Sequence, residues 1–324
     1  MAKTFAFRGD EKMGTYVAHQ MEELGLSHVA EVADADVAFT YCMHASALED
    51  VYFDEEGLVK QAHEGMVLVD LSPSTPSFSR ELSAVSAVND LVFIEAPLAM
   101  SDPAAHDALS SPDHLVCYAA CEDEGLDEVK PLLESLASQV IATGAVGTAQ
   151  LAKVRHTVQT AAQIVGAVES CAFERAVRDA SSSVDGLNSS DVSLGEVSQA
   201  VGAAVADEAY DSGFDLAFLM ADIVAAMTAA DDVELILPQL EAAMHLLELM
   251  AVIGGAEKGP AALTLLYREE AAGAAQGLDW SRAANLYDDH SHDDHFHDDY
   301  DIDGDGDDDD MFGFAGGFGG YSTN

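Results

Sequence analysis

"FRGDEKMG", residues 7–14, decides how the rest of the chain is read. An apolar start at residues 4–8 runs into it, and "GTYVAHQMEELG" leaves it with apolar residues at helical spacing up to Gly25, so it is the turn of a strand–turn–helix unit. A turn that receives a dinucleotide's pyrophosphate at this place carries three glycines. One makes the tight turn, one lets backbone approach the phosphates, and one allows helix-on-strand packing. Gly9 and Gly14 fill the outer two places, with Lys12 and Met13 between them, but the middle place holds Glu11. Two expectations follow: a degraded phosphate loop that still offers helix amides and the Lys12 charge, or a turn that keeps its geometry and binds nothing.

Further strand-like runs are "DVAFTYC" (36–42), "GMVLVDLS" (65–72), "LVFIEAP" (91–97), "HLVCYAAC" (114–121) and "QVIATG" (139–144). The first of these are separated by segments long enough for crossovers, which predicts an open parallel sheet flanked by helices, an α/β Rossmann-like domain over residues 1–147. The sheet is truncated. Only ten residues separate Gly25 from Asp36, where such a fold places a second strand, its crossover and the acid that holds the ribose. Glu31 and Asp34 stand near the expected distance, but one crossover is lost, and the adenosine half of the site is expected to be shortened.

From Thr148 the texture changes to alanine-rich amphipathic stretches without strand signals, such as "TAQLAKVRHTVQTAAQIVGAVESCAFERAV" and "DLAFLMADIVAAMTAADD". Residues 148–287 are predicted to be an all-α domain, with helices over residues 215–276 more apolar than one small domain can bury alone. Residues 288–324, "DDHSHDDHFHDDYDIDGDGDDDDMFGFAGGFGGYSTN", have too little apolar content to pack and are predicted to be a disordered acidic tail.

The 324 residues carry 13 Lys+Arg against 59 Asp+Glu, a formal charge of −46, which excludes nucleic acid and anionic membrane surfaces as expected partners. Residues 288–310 hold 13 of the aspartates, so the folded part is acidic in its own right. Such a surface stays hydrated in concentrated salt, and a halophilic, high-salt cytoplasm is the expectation, against ordinary acidic drift. No apolar run reaches membrane-spanning length and the N-terminus lacks a signal-peptide core, which points to a cytoplasmic protein. Cys42, Cys117, Cys121 and Cys171 lie in apolar surroundings without metal-type or redox spacing and read as reduced core residues. His44, His106 and His156 are scattered, and no metal site is expected among the folded residues. In the tail, His290, His292, His295 and His297 among aspartates, then Asp301, Asp303, Asp305 and Gly306, suggest weak divalent-ion binding. The twelfth place of a calcium loop there holds Phe312 rather than a bidentate glutamate.

"GAVGTAQLAKVRHTV", "LVDLSPSTPSFSREL", "VFIEAPLAMSDPAA" and "GFDLAFLMADIVAAM", in this order, resemble the β-hydroxyacid dehydrogenase family of 3-hydroxyisobutyrate and 6-phosphogluconate dehydrogenases over nearly all of residues 1–287. The resemblance implies oxidation of a small β-hydroxy acid with NAD or NADP. It makes Lys153 the general acid/base, a role that suits a desolvated lysine. It places Ser72, Ser101 and Thr157 on the substrate and Gly9, Glu11, Lys12, Met13, Gly14 and Met43 on the cofactor, and it implies a homodimer. Several positions depart from the pattern. The asparagine one turn beyond the lysine is Thr157, beside His156, and a substrate-gripping Ser-Gly-Gly is Ala99, Met100 and Ser101. A late lysine is Ala221, while Asp222 is kept. Three functions stay open on these residues: a divergent NAD(P)-dependent oxidoreductase, a catalytically silent binding or scaffold protein, and a reductase of another carbonyl or imine compound.

Overall fold

β1 (Thr4–Gly9) sends Phe5 to one face of the sheet and Ala6 to the other, and the same alternation recurs in every central strand. The computed structural model describes residues 2–122, 125–180 and 195–284. After β1 come α1 (Glu11–Glu23), β2 (Ser27–His28), β3 (Val37–Tyr41), α2 (Ala45–Phe53), α3 (Leu58–Gln61), β4 (Val67–Asp70), α4 (Pro76–Val88) and β5 (Val92–Glu95). β6 (Leu98–Met100), β7 (Leu115–Ala120), α5 (Leu126–Leu136) and β8 (Gln139–Gly144) complete the sheet region. The strand order is β2-β1-β3-β4-β5-β7-β6, with β8 beside β7. β1 to β5 pair in parallel, and β7 turns antiparallel to β5 and β6. On one face Ala6, Ala38, Leu68 and Phe93 pack with Leu48, Tyr52 and Leu82 of α2 and α4. On the other, Phe5, Phe39, Val69 and Ile94 meet α1 and α5, and this core continues into the helical region.

The glycines of the first turn have packing reasons of their own. Gly9 ends β1 at φ +124° opposite Tyr41, and a Cβ there would stand 1.9 Å from the Tyr41 carbonyl oxygen. A Cβ on Gly14 would stand 2.8 Å from the Phe7 ring, so only glycine lets α1 lie this close on β1. Neither glycine depends on a ligand.

The shortened crossover takes a definite form. β2 pairs with β1 at only two positions, Thr4↔Ser27 and Phe5↔His28, and residues 29–36 then cross to the opposite side of β1 through a single 3-10 turn (Val32–Asp34). Val32 and Ala35 bury against Ala6 and Ala38, while the Asp36 carboxylate accepts the Lys3 and Thr4 amides. Arg8 covers the β1 edge that a longer β2 would pair with, donating from Nη1 to the Phe7 carbonyl and from Nη2 to that of Ala30. Glu31 and Asp34 lie exposed in this passage.

α6 (Thr148–Ala180) runs for 33 residues and buries Gln150, Lys153, Thr157, Thr160, Ile164 and Val168 along one face. α7 (Glu196–Ala206), α8 (Leu216–Asp231), α9 (Pro238–Val252) and a 3-10 segment (Pro260–Tyr267) pack around it, followed by α10 (Glu270–Ala275). Residues up to Ala284 form one compact unit. Among the described residues no helix is long and apolar enough to cross a membrane, and no group of three metal-ligating side chains converges. All four cysteines are free, and burial pushes the Cys42 and Cys117 thiols up to about 12. The acidic tail, with its histidines and calcium-loop fragment, lies outside the described residues.

Candidate functional site

The turn after β1 is built by Asp10. Its backbone N–H donates to the Tyr41 carbonyl at 2.8 Å, its carbonyl accepts Gly14 N–H at 2.8 Å, and its carboxylate accepts Met13 N–H at 2.9 Å. Asp10 is therefore the N-cap of α1, in keeping with the preference of aspartate for that position. Glu11 follows as an exposed residue of the first turn. Lys12 reaches across to α8, where its Nζ stands 2.5 Å from Asp215 Oδ2 and 5.9 Å from the Phe218 ring centroid. Asp215 is almost fully buried and caps α8 by accepting Phe218 N–H at 3.2 Å.

Below this bridge the space between sheet and helices is filled. Tyr41 at the end of β3 meets Phe218 at 5.8 Å between ring centroids, and Phe218 stacks on Phe214 at 6.0 Å. With Met13, Met100, Lys153 and Asp222 these rings border a cavity of about 10 Å³, room for about one water. Burial and the nearby Asp222, Asp10 and Asp215 carboxylates push the Tyr41 hydroxyl well above the usual phenol range, so it stays protonated.

Lys153 lies on the floor of this space. Its Nζ donates to Asp222 Oδ2 at 2.5 Å and to the Leu98 carbonyl at 2.6 Å, and both charged side chains are buried. Burial raises the Asp222 carboxyl, and Lys153 pulls it partly back. One turn along α6, His156 donates from Nε2 to the Met100 carbonyl at 2.9 Å and accepts the Tyr118 hydroxyl at Nδ1 at 3.1 Å. Burial and Lys153 hold that imidazole below its usual pKa, which favours this neutral tautomer. Lys153 and His156 thus fasten the first and last carbonyls of β6, those of Leu98 and Met100, to α6. Thr157 Oγ1 is buried without a hydrogen-bond partner.

The other positions singled out in the sequence fall apart in space. Ser72 Oγ accepts Cys42 N–H at 3.0 Å, its N–H donates to Asp70 Oδ1 at 3.1 Å, and its carbonyl accepts Gln150 Nε2 at 2.8 Å. It joins β3, β4 and α6. Ser101 is exposed and donates its N–H to the His114 carbonyl, and Met43 is half-buried beyond β3. Neither borders the cavity, whereas Met13 and Lys153 do. Sequence reasoning missed Tyr41, Phe214 and Phe218 as cleft residues. It also missed Glu95, whose carboxylate accepts Gly147 N–H at 2.6 Å and Gln150 N–H at 2.8 Å and so caps the start of α6. The available signal was an acid ending a buried strand, which requires buried donors.

Residues 5–144 match the family described as the NAD binding domain of 6-phosphogluconate dehydrogenase. The mitochondrial 3-hydroxyisobutyrate dehydrogenase of Mus musculus is 32% identical over 157 residues, 47% of this chain and 45% of that protein. The chain spans about half the length of the curated relatives it matches. Among solved structures, 3-hydroxyisobutyrate dehydrogenase of Mycobacterium tuberculosis with L-serine superposes with a TM-score of 0.62 at 19% identity, covering 83% of this chain and all of that one. Psf3, solved with NADP+ and 2-OPP, gives 0.66 at 17% identity, covering 82% and 100%. The similarity in sequence lies in the sheet region, and the similarity in fold extends over the helices. The chain is thus similar, at low identity, to the β-hydroxyacid dehydrogenases: in sequence through the NAD-binding-domain match over residues 5–144, and in fold over the helical region as well.

Proposed function

We propose that this relative of NAD(P)-dependent oxidoreductases has its cofactor cleft closed by its own side chains and serves as a binding or scaffold protein, with a homodimer as its working form. The observation that carries the reading is the engagement of Lys153, buried between Asp222 and the Leu98 carbonyl. A general acid/base must reach a substrate oxygen. Withdrawing one partner from a buried ion pair costs about 3–5 kcal/mol. The adjoining space holds about one water, whereas small-molecule sites run to roughly 300–1,000 Å³.

The residues of the first turn do not fit a dinucleotide in this arrangement. The Met13 amide is taken by Asp10, Glu11 opens the helix, and the acids that could hold a ribose, Glu31 and Asp34, lie exposed around a 3-10 turn that follows a strand of only two residues. The competing reading is NAD(P)-linked turnover of a small β-hydroxy acid or related carbonyl compound. It is favoured by Lys153 standing on α6 beside β6, where the resemblance puts the general acid/base. In that reading Ser72, Ser101 and Thr157 contact substrate only after the cleft opens.

Titration of the protein with NADH and NADPH, followed by nucleotide fluorescence, separates the two. The closed-cleft reading expects no saturable binding below about 1 mM, equivalent to about 4 kcal/mol. Saturation in the low micromolar range overturns it and restores the dehydrogenase.

A further inference from the structure

The first turn of α1 has two means of receiving an anion, the free amides and partial positive charge of its helix N-terminus and the Lys12 ammonium. A carboxylate of the chain itself engages each, taking one amide of the turn in the first case and the ammonium in the second. Asp10 Oδ1 takes Met13 N–H at 2.9 Å, and Asp215 Oδ2 takes Lys12 Nζ at 2.5 Å. We infer that Asp10 and Asp215 together form an autoinhibitory contact, standing in for the two charges of a pyrophosphate and holding α8 down on the nucleotide loop. This rests on the closed-cleft reading and adds its cause.

An N-cap aspartate alone would be ordinary. The second carboxylate is not, because Asp215 comes from the other end of the fold, 203 residues away, and its side chain is only 5% exposed against 59% for Lys12. A carboxylate that buried needs a cation and hydrogen-bond donors. Lys12 supplies the first and Phe218 N–H a donor. The same bridge seats Phe218 below Lys12 and against Tyr41, so the ion pair and the aromatic plug are one contact seen from two sides. Removing the two negative charges while keeping both caps should release Lys12 and lower the electrostatic barrier to an incoming diphosphate.

Serine and asparagine both cap helices well, so Asp10→Ser with Asp215→Asn removes charge without removing either cap. ADP, which carries the diphosphate without a nicotinamide, is titrated by calorimetry at one fixed salt concentration into the wild type, the double variant, and the double variant with Lys12→Gln. A gain in ADP affinity of at least tenfold in the double variant, cancelled by Lys12→Gln, supports the contact. No gain in a double variant whose circular dichroism and melting match the wild type overturns it. Asp215→Asn alone covers the case of a double variant that does not fold, with about a threefold gain expected and no gain counting against the contact. Micromolar NADPH binding by the wild type defeats the closed-cleft reading itself. A wild type that binds no nucleotide, with variants that gain nothing, defeats only the role given to these carboxylates.

Discussion

Replacing Lys153 with methionine tests whether this lysine is part of the framework. The change removes the ammonium from a pair 2.5 Å apart whose side chains are 5% and 7% exposed, and it strips the Leu98 carbonyl of its donor. Breaking one side of a buried pair costs about 3–5 kcal/mol, and a buried carbonyl left unpaired adds about 1 kcal/mol or more. Asp222 can relieve part of this by taking up a proton, since burial already raises its carboxyl and Lys153 is what pulls it down. The sign follows from that. In the variant the folded pKa of Asp222 lies further above its unfolded value, so the stability contributed by the neutral acid is complete below the unfolded pKa and is lost as pH rises through the folded one. The deficit should therefore be about 4 kcal/mol near neutral to alkaline pH and shrink toward acid, by at most about 1.4 kcal/mol per unit. Urea denaturation at about pH 8 and about pH 5.5, at constant potassium chloride, measures both values. Lys153→Met with Asp222→Leu removes both charges and should recover most of the loss. A deficit under about 1 kcal/mol at the higher pH, or a double variant no better than the single one, would refute the reasoning and leave Lys153 free for chemistry.

Asp70 gives a second pH test: it is fully buried with Oδ2 unpartnered, and burial raises its carboxyl to about 6. Its contribution to stability is complete below the unfolded value and lost as pH rises through about 6, so Asp70→Asn should flatten the melting temperature between about pH 4 and 7 and be relatively more stable than wild type above that window. Molar potassium chloride should raise the melting temperature by screening the acidic surface, and ending the chain at Tyr287 should preserve the trend, because 46 of the 59 acids remain. A flat or falling response would set the halophilic expectation aside. Sedimentation at micromolar concentration should show a homodimer, and a monomer at both low and molar salt would contradict that assembly.

What the sequence discloses and what it hides divide along one physical line. β1, β3, β4, β5, β7 and β8 all lie where apolar runs bounded by turn residues predicted strands. β6 escaped notice because three residues after Pro97 carry no periodicity. The missing crossover was legible as a length, ten residues where a strand, a helix and an acid need more, but not as the Val32–Ala35 passage that replaces it. Asp10 and Asp215 both precede apolar helical runs and were readable as caps. Their shared neighbour Lys12 was not, since nothing local in sequence encodes a contact spanning 203 residues. Lys153 could be found from its motif, yet its Asp222 partner lies 69 residues on, and only the fold brings them together. Tyr41, Phe214 and Phe218 have the pattern of ordinary core residues. A periodicity shows that a side chain is buried, and it does not say whether it fills a core or a cleft.

Closure of the cleft in solution, with Lys153 built into it, can be read from the reactivity of the lysines themselves. Native protein is exposed to a small amine-reactive reagent and the modified positions are timed by mass spectrometry, with urea-unfolded protein as the reference. Lys130, whose side chain is 53% exposed, should react at nearly its unfolded rate, whereas Lys153, at 5%, should stay protected at least a hundredfold. Modification of Lys153 at a rate near that of Lys130 in the native protein would mean that the cleft opens freely, and would contradict a closed cleft with Lys153 in its framework.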